Sequence, residues 1–414
     1  MNGARHGAMA QDPTLEPEEE LAAAPPPVPP QESEGGLSAL LAPQAPSRPA
    51  RTGPTVERLP SAARDSQPSA HAAFLARKHF ASLDGLRAIG ILAVVWHHTM
   101  GGPGRFGANL FFLLSGFLVT TLLVRERAKK GTVDVTRFRT RRARRLYPLY
   151  FAVLASYVAL VWQLEAPGPT RTEFFANLPA FATFTSNLFV GLDSERVIFY
   201  FAWSLAAQEQ FYLLWPLFLK HLRLREAALA LVSLLATTWL TRMGAFDGLL
   251  SQGTLLRTLV LSLMPTLLIG ALLALTLNAR AGFEAVQRWL GGRFTSCAFL
   301  GLALILWRVP SLPEVCIQAT LALLAAACVV REDHALARLL RSRLAVHVGS
   351  LSFGIYLMHM LCHNVVARAL ARGGFSAGVL DFLLTAALAV GVATVSHRYF
   401  EDRFLPREKR RAAA

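Results

Sequence analysis

An arginine and a histidine eleven residues apart, Arg87 and His98, punctuate the apolar stretch LDGLRAIGILAVVWHH. In an α-helix eleven residues make about three turns, which sets both side chains on one face about 16 Å apart. A guanidinium binds phosphates through paired hydrogen bonds. An imidazole can take the proton of a hydroxyl near neutral pH, or carry an acyl group itself. Ionisable groups at the centre of a membrane helix cost about 2.5–3.5 kcal/mol on insertion scales, and they face a bundle interior or a wet path. Two of them on one stripe suggest a built site. His97 points about 80° away from the Arg87 face and is secondary.

Further clusters follow along the chain. GANLFFLLSGFL (107–118) offers Gly107, Phe111, Phe112, Ser115 and Gly116, and RTRRARRLYPLYF (139–151) places Arg142 and Arg145 ahead of Pro148. Glu209 sits in the polar interruption Gln208-Glu209-Gln210, between Trp203 and the apolar run from Phe211. A carboxylate there can orient His98 or bind an acceptor, or it can snorkel into headgroups. In SFGIYLMH (352–359), Tyr356 and His359 are expected to line a pore. His363 follows His359 by one turn, but no third ligand accompanies the pair, so no metal site is expected. Cys297, Cys316, Cys328 and Cys362 fall in apolar segments without a CxxC pair and read as buried free thiols.

The elements that must position these residues are membrane helices. Of 414 residues 53% are hydrophobic and only 17% charged, against about 25% charged in soluble domains. The net charge of +15 lies in connectors between apolar runs, a topology signal rather than a nucleic-acid surface. Ten spans are expected, near 82–101, 107–124, 146–164, 203–220, 227–243, 255–277, 294–309, 315–330, 345–368 and 378–396. The connector 125–145 carries ten Lys or Arg, and 220–225, 280–293, 331–343 and the tail after Arg398 are also basic. All fall on one side only if 176–202, broken by proline, glycine and polar residues, is an outer loop or re-entrant segment. The fold expected is thus all-α and polytopic in the cytoplasmic membrane, with both termini cytoplasmic. Residues 1–75 hold 13 of the 23 prolines and an acidic run, Glu18-Glu19-Glu20, so they are expected to be disordered. No secretory signal opens them. The membrane domain is expected over 76–402, with a basic tail over 403–414.

Taken together, the motifs resemble the acyltransferase 3 family of integral-membrane O-acyltransferases. The likeness rests on the arginine and histidine with ten residues between, the RxxR of Arg142 and Arg145, the segment WSLAAQEQFYLLWP (203–216) and SFGIYLMH, in that order from about residue 80 to 401. It implies an acyl-CoA donor, acetyl-CoA foremost, as co-substrate and no resident cofactor. It implies donor binding by Arg87, Arg142 and Arg145, catalysis by His98 and Glu209, and acceptor or pore contacts from Trp203, Tyr356 and His359. The acceptor would be a glycan or its lipid-linked precursor, and some family members instead acylate small molecules such as macrolides. The chain departs from the family pattern at Gln208, where glutamate is usual, and at Asn109, where an acidic residue often stands. Buried His and Arg residues also build proton-coupled carriers, so a transporter is the rival reading. Against it, no inverted repeat is visible. An inactive assembly partner is a lesser alternative that the two departures allow.

Overall fold

The computed structural model describes residues 69–101, 105–191, 197–249, 251, 253–309, 311–375 and 378–404, and all regular structure among them is helical. Helix α1 (Ala70–Ala76) starts at Ser69, whose Oγ accepts from the Ala72 N–H. Helices α2 (Ala81–Met100) and α3 (Arg105–Lys130) carry the first two motifs. Helix α4 (Val135–Leu164) starts where the Asp134 carboxylate caps the Arg137 N–H at 2.9 Å, and it contains Pro148. Then come α5 (Pro169–Ala182), α6 (Ser186–Phe189), α7 (Ala202–His221), α8 (Leu224–Arg242), α9 (Leu255–Ser262) and α10 (Pro265–Asn278). The chain continues through α11 (Arg280–Leu290), α12 (Thr295–Trp307), α13 (Glu314–Val330), α14 (Ala337–Leu340), α15 (Arg343–Ser350), α16 (Ser352–Arg372) and α17 (Val379–Tyr399).

Every apolar stretch expected to span is occupied by helix, but ten spans is approximate. Four helices, α3, α4, α8 and α17, are individually long and apolar enough to cross a membrane. Four bent pairs bring the number to eight: α1 with α2 at 68°, α9 with α10 at 53°, α11 with α12 at 76°, and α15 with α16 at 75°. The remaining two are α13, with 17 residues, and α7, whose centre is the polar Gln208-Glu209-Gln210. The ambiguous 176–202 region makes no single spanning helix among its described residues. It folds as the end of α5 and the short α6, separated by a turn at Phe184 with φ of 54°.

The boundary expected at residue 75 lies earlier. Phe74 on α1 is fully buried against Phe80 and Phe283, and Arg125 bonds its carbonyl at 2.8 Å, so the folded body includes α1. An aromatic side chain of that size, fully enclosed, ties the short helix down. The rest of the proline-rich head, 1–68, and the tail from 405 lie outside the described residues.

The basic connectors meet at one end of the bundle. Arg125, at the end of α3, also donates to the Arg77 carbonyl, and Arg127 donates to the carbonyls of Leu219 and Leu222 after α7. Arg77 reaches the Val329 carbonyl of α13 at 2.9 Å, and His71 lies 3.3 Å from the Asn278 carbonyl of α10. Cations here satisfy helix C-terminal carbonyls that would otherwise lack partners. His334, in the connector after α13, is 2% exposed between Ser82 and Ser296. Burial, and then the nearby Arg341 charge, pushes its imidazole down to about 4, so it stays neutral at pH 7.

Helices α3 and α10 approach most closely through small residues. A Cβ on Gly116 would lie 2.1 Å from the Leu267 carbonyl oxygen, and one on Gly270 would lie 2.0 Å from that of Leu113. Small residues at such crossings let backbones touch in a membrane, where dispersion rather than hydrophobicity drives association. Gly270→Val is therefore expected to destabilise the purified protein by at least the ~1–3 kcal/mol typical of overpacking, read as a lowered thermal midpoint in detergent. An unchanged midpoint would show that this crossing is not a stability determinant.

Candidate active site

Helix α2 supplies both ends of the site. Arg87 lies in its second turn, and its Nη1 donates to Oδ1 of Asp84 at 3.1 Å, one turn earlier. Asp84 is 8% exposed and also accepts from His79, so one carboxylate anchors two basic groups at the start of α2. His98 lies in the last turn of α2. It is the far end of the helix, rather than its middle, that carries the imidazole. Enclosure comes from the neighbours: the His98 ring lies 5.1 Å from that of His359 on α16, 5.7 Å from Tyr200 and 4.7 Å from His97.

Tyr200 is the direct polar partner of His98. Its hydroxyl is 2.9 Å from Nδ1 and 3.2 Å from Nε2. It sits in the turn before α7, immediately after Phe199, which is 2% exposed and adopts φ of 63°. A bulky residue in the left-handed region costs about 1–3 kcal/mol and is held there only by its surroundings. Here the Phe199 ring is fixed among Tyr157, Phe181 and Phe201 at centroid distances of 4.9, 5.3 and 4.8 Å. That aromatic cluster thereby sets where Tyr200 points.

Below His98, the Tyr356 hydroxyl is 2.6 Å from the Ser204 Oγ and donates to the Phe201 carbonyl at 3.1 Å, joining α16 to the start of α7. His359 is fully buried, and its Nδ1–H donates to the Tyr356 carbonyl at 2.6 Å. Trp203 packs against Phe112 of α3 with centroids 6.2 Å apart.

At the basic end Arg145 lies within electrostatic range of Arg87, Arg142, Glu401 and Asp84. It is exposed in a cleft of about 160 Å³ lined also by Ser350, Leu351, Phe353, Gly354, His397 and Glu401. Arg142, by contrast, is occupied: its Nε donates to Oε1 of Glu209 at 3.1 Å and its guanidinium carbon stacks 3.2 Å from the Tyr212 ring centre. Tyr147 approaches the other Glu209 oxygen at 3.5 Å.

The site residues read from the sequence thus separate into two groups. Arg87, Arg142, Arg145 and Glu209 gather towards the basic end, while His98, Tyr356 and His359 gather at the far end of α2, with Trp203 on α7 near it. Among the described residues Glu209 pairs with Arg142 rather than with His98, whose polar partner is Tyr200. Gln208 donates to Ser115 at 3.3 Å, and Asn109 bridges Thr266 and Glu314 at 3.0 and 3.2 Å. Sequence reasoning missed Tyr200, Asp84 and Ser204. Asp84 carried a signal, a carboxylate three residues before an arginine in an apolar helix. Tyr200 carried none, since only the fold brings it to His98. Among the described residues no cluster of three or more His, Cys, Asp or Glu could hold a metal.

The pattern of the acyltransferase domain of acyltransferase 3 proteins matches residues 80–398. The chain belongs to this family. The segment matches the peptidoglycan O-acetyltransferase OatA of Listeria monocytogenes at 32% identity, over 40% of this chain and 29% of that protein. It matches "Putative peptidoglycan O-acetyltransferase YrhL" of Bacillus subtilis at 29% identity, over 68% of this chain and 48% of that protein. A third match, "Putative O-acetyltransferase SACOL0978" of Staphylococcus aureus, is 24% identical over 79% of this chain and 57% of its own length. The chain therefore spans from under a third to just over half the length of these relatives. No solved structure matches it. Family membership favours an acyltransferase over the carrier reading.

If Tyr200 orients the His98 ring, Tyr200→Phe removes one hydrogen bond worth about 0.5–1.5 kcal/mol, and turnover should fall by roughly two- to tenfold with the protein still folded. Turnover unchanged within error would show that the ring is held by packing alone.

Proposed function

We propose that this membrane acyltransferase moves an acyl group, acetyl foremost, from acyl-CoA to a hydroxyl of a cell-envelope glycan. The observation that carries the reading is the shared face of α2. Arg87 stands at its basic end beside the exposed Arg145, and His98 stands about 16 Å further along among Tyr200, His97 and His359. Acyl-CoA is a polyanion with a long arm ending in a thioester. Its phosphates suit the arginine end, and its arm reaches along α2 to set the carbonyl carbon near His98. The positive-inside rule puts the basic end in the cytoplasm, where acyl-CoA is found, and opens the other end to envelope acceptors. The names of the relatives support a glycan hydroxyl as the acceptor.

The chemistry divides accordingly. Arg145, with no ion pair or hydrogen bond among the described residues, offers its full set of donors to phosphate. Arg142 is held rigid by Glu209 and Tyr212 and presents its remaining N–H groups beside it. His98 meets the thioester or the acceptor hydroxyl, as acyl carrier or base.

Purified protein in nanodiscs, given labelled acetyl-CoA and peptidoglycan fragments, should yield an acetylated glycan by mass analysis. His98→Ala should lower transfer by about 10²–10⁴-fold with donor binding retained. Arg145→Ala should raise the apparent donor constant about ten- to hundredfold, the equivalent of losing charge-assisted bonds worth about 1.5–3 kcal/mol. Near wild-type transfer by the His98 variant would overturn the reading, and acetylation of a small molecule in place of glycan would reassign the acceptor.

A further inference from the structure

His359 is the most completely enclosed ionisable residue near the site, with none of its surface exposed. A carbonyl can only accept, so its bond to the Tyr356 carbonyl fixes the ring proton on Nδ1. In the neutral ring, Nε2 then carries a lone pair. That nitrogen is buried and has no hydrogen-bond partner among the described residues. Buried polar atoms are seldom left so, and each costs about 1–3 kcal/mol. The groups around it are His98 from α2, with His97 beside it, Phe201 from the turn before α7, and Tyr356 and His363 from its own helix. None of these supplies the missing donor. His363 is turned towards Asp381 of α17, at 3.2 Å, and Tyr356 is bonded to Ser204 and Phe201. His98 is engaged by Tyr200. An unpartnered acceptor nitrogen beside a second imidazole suits the O–H of an alcohol.

We propose that Nε2 of His359 is the base that deprotonates the acceptor hydroxyl, which leaves His98 as the carrier of the acyl group. The proposal rests on the reading that His98 is the transfer group and acyl-CoA the donor. In the first step a nitrogen of His98 attacks the thioester carbon, the carbon–sulfur bond breaks, and the departing thiolate takes the proton that the acylated ring sheds. In the second, the hydroxyl proton moves to Nε2 of His359 as its oxygen attacks the acyl carbon. The carbon–nitrogen bond breaks, and the proton passes from His359 to the released His98 nitrogen. Both rings return to their starting state, and thioester plus hydroxyl has become ester plus thiol.

The test separates the two steps in the full-length protein in nanodiscs. His359→Asn keeps an N–H where Nδ1 stands, and so the Tyr356 bond, but has no Nε2. It is expected to release CoA in a single turnover within about twofold of wild type, while transfer to the glycan hydroxyl falls about 10²–10⁴-fold. Hydroxylamine, a nucleophile that needs no base, should still capture the acyl group at close to the wild-type rate. Near wild-type glycan transfer, or loss of CoA release in a variant with an unchanged thermal midpoint, overturns the assignment. A measurement on the wild type stands apart from any folding defect: without acceptor, labelled acetyl-CoA should leave about one label per protein. No label and no CoA burst would overturn the carrier role of His98, and with it this proposal. Retained transfer by His98→Ala would instead bring down the reading on which the proposal rests.

Discussion

The site depends on a backbone contact too close for any side chain. Gly349, near the end of α15, lies against the carbonyl of Asp84, where a Cβ would stand 1.9 Å from the oxygen. The contact pins α15 across the start of α2, and the 75° bend at Leu351 then turns α16 along α2. Counting from that contact, His98 is fourteen residues along α2 and His359 ten residues along the bent chain, and their rings meet at 5.1 Å. Any added bulk at Gly349 would lever α16 away from α2 and open that pair. The same Asp84 holds Arg87 and His79 with its side chain. One residue therefore registers both ends of the candidate site, through its carbonyl at the helix crossing and its carboxylate at the basic end.

Charge is segregated along the same axis. The guanidinium groups cluster where connectors meet water, and the far end of α2 holds imidazoles, tyrosines and a serine. Burying an unpaired charge is expensive, so unpaired cations and an enclosed imidazole cluster in an apolar bundle are easiest to reconcile when separated by a helix length. On the proposed reading, the polyanionic part of the donor stays near the aqueous phase while its uncharged thioester lies beside His98.

The helices were legible from apolar run length, and the Arg87–His98 face from the 100° step of a helix. The bends were not. The break between α15 and α16 falls at Leu351, without a proline, and directly follows the close approach of Gly349 to a segment 265 residues earlier. Tyr200 was invisible for a related reason. Its placement follows from the positive φ of Phe199, which an aromatic cluster from α4, α5 and the turn before α7 enforces, and no local pattern encodes it. The partner of Glu209 was likewise hidden, because the meeting of α4 and α7 is a tertiary fact separated by 67 residues.

That pairing also makes sense of the chain's departure from its family's pattern. At position 208, where the family resemblance leads one to expect glutamate, the chain has Gln208, which reaches Ser115 on α3 as a neutral donor. The acidic group stands one residue later, about 100° around α7, and so faces α4. There Glu209 neutralises Arg142 and, with Tyr212 beneath it, fixes the guanidinium plane. The consequence is a division between two arginines only three residues apart. Arg142 is held in one orientation by a carboxylate and an aromatic face, whereas Arg145 keeps its charge for whatever enters the cleft beside it. A carboxylate at 208 instead would point its charge at a serine on α3 and leave both arginines free, placing more uncompensated positive charge at the mouth of the bundle.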